Sequence, residues 1–390
     1  MRRIPELDAL RGLASVVIVF HHADLMSWIP VLGPILSYGW GGVDLFFVLS
    51  GYLITSIIFK SGEQPHFFKR FYVRRGLRIW PIYYLLLLGV IVVNLALPSH
   101  PIPMRGMPQY LTYTQEVQAY VGREMPGRIE GLVHTWTLAI EEQFYLIWPV
   151  LVLLAPRRWL FTICVAIAMT SMLVRSSLPN LVATRLHLGH VPLVGQYILL
   201  GRCDGFALGG ILALVANEPG TASRRNRLMG VFGGIAAVAG AILVVGSYLV
   251  PPNMPFAATW TTLLSFGVVG MVLLHTGSEY LRPLRWGWLC YLGLISYGLY
   301  LWHPMVFRLF EEARPNLGSM GWVTSPLMVL ASLVVAMLSW KYVERPFLSF
   351  KDRFDYEHPS RELEEHLDEL PQGALLATVE PPRLAESAEG

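Results

Sequence analysis

Apolar residues in this chain come in blocks long enough to leave water altogether. A hydrocarbon core needs about 20 mainly apolar residues per helical crossing, and blocks of roughly that length recur from the N-terminus to about residue 343. They are centred on Ser15, Val48, Leu87, Trp148, Ala166, Leu208, Val238, Gly267, Leu299 and Val334, with charged residues near Arg11, Glu142 and Arg202 interrupting the runs. The pattern predicts an all-α polytopic membrane helix bundle of about ten transmembrane helices, forming one domain over residues 1–350. No internal repeat is apparent. After Phe350 the sequence turns polar, with a Glu/Asp-rich stretch from Arg361 to Leu370 and then Pro, Ala and Glu. The tail over 351–390 is expected to be a short surface helix followed by disorder.

Composition strengthens this picture. Of 390 residues, 54% are hydrophobic and 15% charged, at a mean hydropathy of +0.48, outside the range of ordinary soluble domains. Basic residues fall in alternate loops. Arg2 and Arg3 precede the first span, Lys60 to Arg78 follow the second, and Arg157 and Arg158 follow the fourth. Arg224, Arg225 and Arg227 come after the sixth, Arg282 and Arg285 after the eighth, and Lys341 to Arg353 after the tenth. Short basic loops stay in the cytoplasm, so both termini are expected there. The first span carries His21, His22 and Asp24 where a signal peptide would need small residues for cleavage, and it reads as uncleaved. Cys164, Cys203 and Cys290 fall inside spans without metal-ligand spacing, as packing residues do. A net charge of +3, explained by topology, gives no case for nucleic acid.

Ionisable residues within spans are costly and mark functional interiors. Arg11 and His22 are eleven positions apart, which returns to within about 20° of one helix face and covers roughly 16 Å. They either line a path across much of the bilayer, or His22 bonds a loop at the interface while Arg11 pairs with Asp8. Arg75 and Arg78, at i and i+3, can converge on one phosphate; the alternative is positive-inside retention with lipid-headgroup contact. Glu141 and Glu142, in His134-Thr-Trp-Thr-Leu-Ala-Ile-Glu-Glu-Gln-Phe-Tyr145, enter the fourth span together. Helix-dipole capping accounts for one of them, and a carboxylate beside an outward-facing His would make a general base. Asp44 with Ser50, Arg202 with Asp204, and His303 are further buried-polar candidates. Arg202 and Asp204 are expected to pair with each other, and His303 to sit at a helix end. Glu344 and Arg345 in Val343-Glu-Arg-Pro-Phe347 are expected to terminate the last helix, with Pro346 as the stop.

Taken in order, these segments resemble the membrane acyltransferase-3 family. They are Leu7-Asp-Ala-Leu-Arg-Gly12 with His22, Gly42-Val-Asp-Leu-Phe-Phe-Val-Leu-Ser-Gly51, Arg75-Gly-Leu-Arg78, Trp136 to Tyr145, Arg202-Cys-Asp204 and Ser296 to His303, over residues 4 to about 350. The resemblance implies transfer of acetyl or another short acyl group from acyl-CoA to a hydroxyl of a glycan, lipid-linked sugar or small metabolite, in the inner (plasma) membrane. It makes Arg11 and His22 the family's Arg-x10-His motif and Arg75 with Arg78 its Arg-x-x-Arg motif. Thr137 stands where Ser is common. Some members carry an extra esterase-like domain after the last spans; here transfer is expected to finish within the membrane domain.

The expected mechanism starts with acyl-CoA entering from the cytoplasm, its phosphates held by Arg75 and Arg78 and its pantetheine arm passing Arg11 toward His22. His22, assisted by Glu141 or Glu142, deprotonates the acceptor hydroxyl or takes the acyl group itself. Asp44, Ser50, Trp136, Tyr145, Arg202 and His303 are the remaining candidate substrate-binding residues. No metal and no permanently bound cofactor are expected, because a thioester is already activated; the partners are acyl-CoA, the acceptor and membrane lipid. A transporter or channel using the same buried His, Arg and Glu is the competing class, though no inverted repeat with broken helices is found for it. A membrane scaffold is the third, and it leaves the paired glutamates without a purpose.

Overall fold

The computed structural model describes residues 3–25, 33–96, 106–116, 129, 131–186, 194–218, 221–249, 254–313 and 321–354. The polar tail lies outside the described residues from 355 onward, as do residues 26–32 after the first span and 117–128 ahead of His134.

All regular structure among the described residues is helical. The long helices are α1 (Pro5–His22), α2 (Gly42–Ser61), α3 (Phe67–Ala96), α4 (Trp136–Leu154) and α5 (Leu160–Leu186). Then come α6 (Cys203–Ala216), α7 (Ala222–Leu249), α8 (Met254–Leu274), α9 (Gly287–Ala313) and α10 (Gly321–Ser339). Each apolar centre read from the sequence falls inside one of these. Among the described residues, seven helical segments are long and apolar enough to cross a membrane: Ser37–Ser61, Phe67–Val93, Val133–Leu154, Arg157–Ser177, Ala222–Leu249, Phe256–Leu274 and Val323–Ser349. α6 is apolar but short, and α1 and α9 carry the polar residues that build the site.

Sequence chemistry sets α1 from its first turn. Pro5 opens it, where its missing N–H costs nothing; Glu6 and Asp8 occupy the first turn, and His21 and His22 the last. α1 lies close against α9 because each helix has a glycine at the point of closest approach. A Cβ on Gly293 would come 2.1 Å from the Asp8 carbonyl oxygen, and one on Gly12 would come 2.8 Å from the Gly293 nitrogen. α2 and α6 are joined in the same way, since a Cβ on Gly209 would come 2.1 Å from the Val48 carbonyl oxygen. Lipid gives no hydrophobic gain for helix association, so close backbone approach supplies it through van der Waals contact.

Two sequence expectations are corrected at this level. Pro346 does not end the last helix: α10 passes through a π-helical turn at Trp340–Glu344 into a further helix at Arg345–Ser349, with proline in its first turn. Arg202 and Asp204 do not pair with each other. Arg202 pairs with Asp44 of α2 at 3.1 Å, whereas Asp204 takes Arg175 of α5 at 2.7 Å. Successive positions on a helix start point in different directions, so each reaches a different neighbour. Arg175 also bonds the Gly201 carbonyl at 2.8 Å and Thr259 at 2.8 Å, and Thr261 donates to Asp44 at 2.5 Å. These buried pairs fasten α2, α5, α6 and α8 together.

Candidate active site

Two cavities enter the bundle from opposite ends of α1. The first, of about 600 Å³, is lined by seven basic side chains, Arg3, Arg11, Lys60, Arg74, Arg75, Arg78 and Lys351, against the acidic Asp8 and Glu141. The second, of about 570 Å³, is lined by His22, His134, Trp136, Gln196, Tyr197 and Arg202, among others. Val43 and Tyr300 line both. They form the layer between the basic cavity and the histidine cavity.

In the basic cavity the predicted residues converge. Ser50 donates to Glu141 Oε1 at 3.2 Å and lies 3.4 Å from the Tyr145 hydroxyl. Arg75 stacks over the Tyr145 ring, its Cζ 5.3 Å from the centroid. Arg11 and Arg78 line the same space. Arg11 does not pair with Asp8, whose ion-pair partner is Arg3 at 2.5 Å. So much positive charge around one cavity is an anion receptor, able to hold several phosphate oxygens through guanidinium forks.

The histidine cavity contains a hydrogen-bond chain that fixes proton positions. His303 lies in the interior of α9, not at its end, and is fully buried. Its Nδ1 sits 3.1 Å from the Leu299 carbonyl oxygen. A carbonyl only accepts, so Nδ1 carries the proton and Nε2 is left as an acceptor. That Nε2 lies 2.8 Å from His22 Nδ1, which must therefore donate. His22 thereby keeps its own Nε2 unprotonated, on an exposed side chain at the C-terminal end of α1. The rings of His22 and His303 are nearly parallel, with centroids 5.0 Å apart. His134 follows the same logic: its Nε2 donates to the Leu301 carbonyl at 3.2 Å, and its Nδ1 is buried without a partner among the described residues.

The expected partnership of His22 with a glutamate is corrected. Glu141 faces the basic cavity, and Glu142 accepts from Trp80 Nε1 at 3.4 Å on another side of α4. The imidazole is oriented by His303. Adjacent positions on a helix diverge by about 100°, so two neighbouring carboxylates were never able to share one task. Arg11 and His22, aligned along α1 in the sequence reading, open into different cavities.

Spacing along the sequence does not single out three residues that matter here. His134 opens the Trp136–Tyr145 cluster and faces the histidine cavity from the turn Val133–Thr135. Tyr300 donates to the His134 carbonyl at 2.8 Å, with Thr137 Oγ1 2.7 Å away, and so is pinned between the cavities. Glu344, read as a helix terminator, is buried in the π turn and accepts from Ser339 at 3.4 Å. Nearer the surface, Gln143 of α4 donates to Glu116, whose burial raises its carboxyl above the usual range while that hydrogen bond opposes the rise. No group of three or more His, Cys, Asp or Glu placed to hold a metal ion occurs among the described residues.

Known proteins resemble this chain along most of its length. The chain is 28% identical over 393 residues to the peptidoglycan O-acetyltransferase OatA of Listeria monocytogenes, covering 90% of this chain and 58% of the relative. It is 29% identical over 385 residues to the putative peptidoglycan O-acetyltransferase YrhL of Bacillus subtilis, covering 90% and 57%. A putative O-acetyltransferase of Staphylococcus aureus is 27% identical over 376 residues, covering 89% and 58%. The chain thus spans somewhat over half the length of these relatives. No solved structure matches. The model of the acyltransferase-3 family, an acyltransferase domain, matches residues 4–341, and the chain belongs to that family.

Proposed function

We propose that this chain is a membrane O-acyltransferase that moves acetyl or another short acyl group from acyl-CoA to a hydroxyl of a glycan, glycolipid or metabolite. Its setting is the bacterial inner membrane, with ten crossings and both termini on the cytoplasmic, donor side. The observation that carries this reading is the chain of contacts from the Leu299 carbonyl through His303 to His22 Nδ1, from which a free lone pair on His22 Nε2 follows. A neutral imidazole with a fixed lone pair is a general base and a nucleophile at neutral pH.

The donor binds in the basic cavity, where Arg75, Arg78 and Arg11 meet its phosphates. Its thin pantetheine arm reaches the histidine cavity past Val43 and Tyr300. In direct transfer, His22 Nε2 takes the proton of the acceptor hydroxyl as that oxygen attacks the thioester carbon. The C–S bond then breaks, and the CoA thiolate takes the proton from the imidazolium. In stepwise transfer, Nε2 attacks the thioester carbon first and the C–S bond breaks to release the CoA thiolate; the acceptor hydroxyl then attacks the acyl carbon, the N–C bond breaks to restore the neutral imidazole, and the hydroxyl proton goes to the thiolate or to water. Both routes use the same lone pair. Glu141, with Ser50 and Tyr145, forms the polar wall of the donor cavity.

Liposomes containing the purified protein test the sidedness. Radiolabelled acetyl-CoA confined to one compartment should acetylate peptidoglycan fragments confined to the other. Label appearing only when donor and acceptor share a compartment would contradict the reading.

A further inference from the structure

The histidine cavity has a second wall, across from His22, that the transfer chemistry does not use. Arg202 is 1% exposed and Gln196 4% exposed, and both line the cavity. The guanidinium lies between the Phe47 and Trp136 rings, its Cζ 5.5 Å from each centroid. Nη2 pairs with Asp44 at 3.1 Å. Nη1 and Nε are buried with no hydrogen-bond partner among the described residues, as is Gln196 Nε2. Arg175, the neighbouring buried arginine, has only its Nε unpaired among the described residues, because both its Nη groups are bonded, to Gly201, both Asp204 oxygens and Thr259. Buried donors left unpaired are costly and rare, and several on one cavity wall mark a place where a ligand completes the bonding.

The chemistry of the wall selects the ligand. The orphan atoms of Arg202 and Gln196 are donors, while His134 Nδ1 in the same cavity is an orphan acceptor, so the ligand brings acceptor oxygens together with a donor, as a hydroxyl group does. Asp44 already neutralises Arg202, and Arg308 and Glu311 add one charge of each sign to the lining. A phosphate or carboxylate therefore meets no excess of positive charge, in contrast with the basic cavity. Trp136 and Tyr197, edge to face at 5.0 Å, supply a partly exposed aromatic surface beside the donors. Ring carbons on aromatic faces and ring oxygens on convergent donors are what an uncharged sugar unit presents.

We propose that Arg202, Gln196 and Trp136 form the acceptor subsite and bind an uncharged saccharide through its hydroxyl and carbonyl oxygens. A hydroxyl of that sugar is thereby presented across the cavity to His22. The assignment rests on the acyltransferase reading for its purpose, but binding is measurable without turnover.

The full chain in nanodiscs is titrated with fully N-acetylated chitotriose (called chitotriose below), an uncharged saccharide, with trigalacturonate, a charged one, and separately with CoA. Wild type should bind chitotriose more tightly than trigalacturonate. Gln196→Leu, which removes donors that have no partner in the described structure, should weaken chitotriose binding tenfold or more and leave CoA binding intact. Arg202→Lys, which keeps the charge beside Asp44 but loses the fork, should act in the same direction. If Gln196→Leu also loses CoA binding, its folding is at fault and Arg202→Lys decides. Failure of wild type to bind chitotriose, a preference for trigalacturonate, or wild-type chitotriose binding by both variants overturns the subsite. Chitotriose binding sensitive to both substitutions in a protein that transfers no acyl group would instead refute the enzymatic reading alone.

Discussion

Replacing His303 with Leu removes the acceptor that holds His22 Nδ1–H while filling the same fully buried space. The hydrogen bond itself is worth about 0.5–1.5 kcal/mol, which at about 1.4 kcal/mol per tenfold sets a floor of roughly two- to tenfold in rate. The ceiling comes from the serine-protease triad, where putting the histidine in the wrong tautomer costs about 10⁴ in kcat, with a charged aspartate as the lost partner. His303 is neutral in this arrangement, so kcat should fall by about 10- to 100-fold. The KM for acyl-CoA should hold, because His303 does not line the basic cavity. Stability should change little, since the stranded Nδ1–H belongs to an exposed side chain that water can reach. His303→Gln offers an acceptor oxygen again and should recover part of the loss. Thiol release from acetyl-CoA, together with base-labile acetate on peptidoglycan fragments, measures both effects. Wild-type kcat in a folded His303→Leu protein would refute the tautomer argument, and equal losses in the Leu and Gln variants would assign the effect to packing.

Arg75→Ala combined with Arg78→Ala should weaken CoA binding at least tenfold, since charge-assisted hydrogen bonds contribute about 1.5–3 kcal/mol each. The paired Lys replacements should restore it only partly, for want of the bidentate fork; normal CoA binding with poor membrane insertion in the Ala variant would show that the arginines serve topology. Asp204→Asn leaves Arg175 charged where the pair's side chains are 0% and 2% exposed, and should cost about 3–5 kcal/mol of stability. Thermal unfolding in detergent checks that value, and an unchanged midpoint would contradict it.

Much of the architecture is legible in the sequence because lipid leaves the chain few options. Blocks of about 20 apolar residues become helices, and the ten apolar centres all fall in helices. The sequence reading put Arg75, Arg78 and Arg11 on one donor path, and all three line one cavity; that Glu141 lines it with them, away from His22, was not legible. Nor was pairing. Arg202 passes over Asp204, two positions away, for Asp44 on another helix, and His22 passes over the glutamates for His303, 281 positions away. Periodicity gives the face a residue occupies on its own helix, but the partner depends on how helices rotate and approach, which glycines such as Gly12, Gly293 and Gly209 decide through contacts distant in sequence. The π turn at Trp340–Glu344 was hidden for a related reason: Pro346 signals a helix end locally, and the tertiary setting turns it into a first-turn residue.

The central claim is that the lone pair of His22 Nε2 performs the transfer. Acetyl transfer by His22→Ala tests it most directly, in protein shown by CoA titration to have an intact donor cavity, with His21→Ala beside it as the neighbouring-histidine comparison. Transfer should vanish in His22→Ala with CoA affinity retained, and most of it should survive in His21→Ala, because His303 bonds His22. Acetylation at the wild-type rate by His22→Ala would contradict the account.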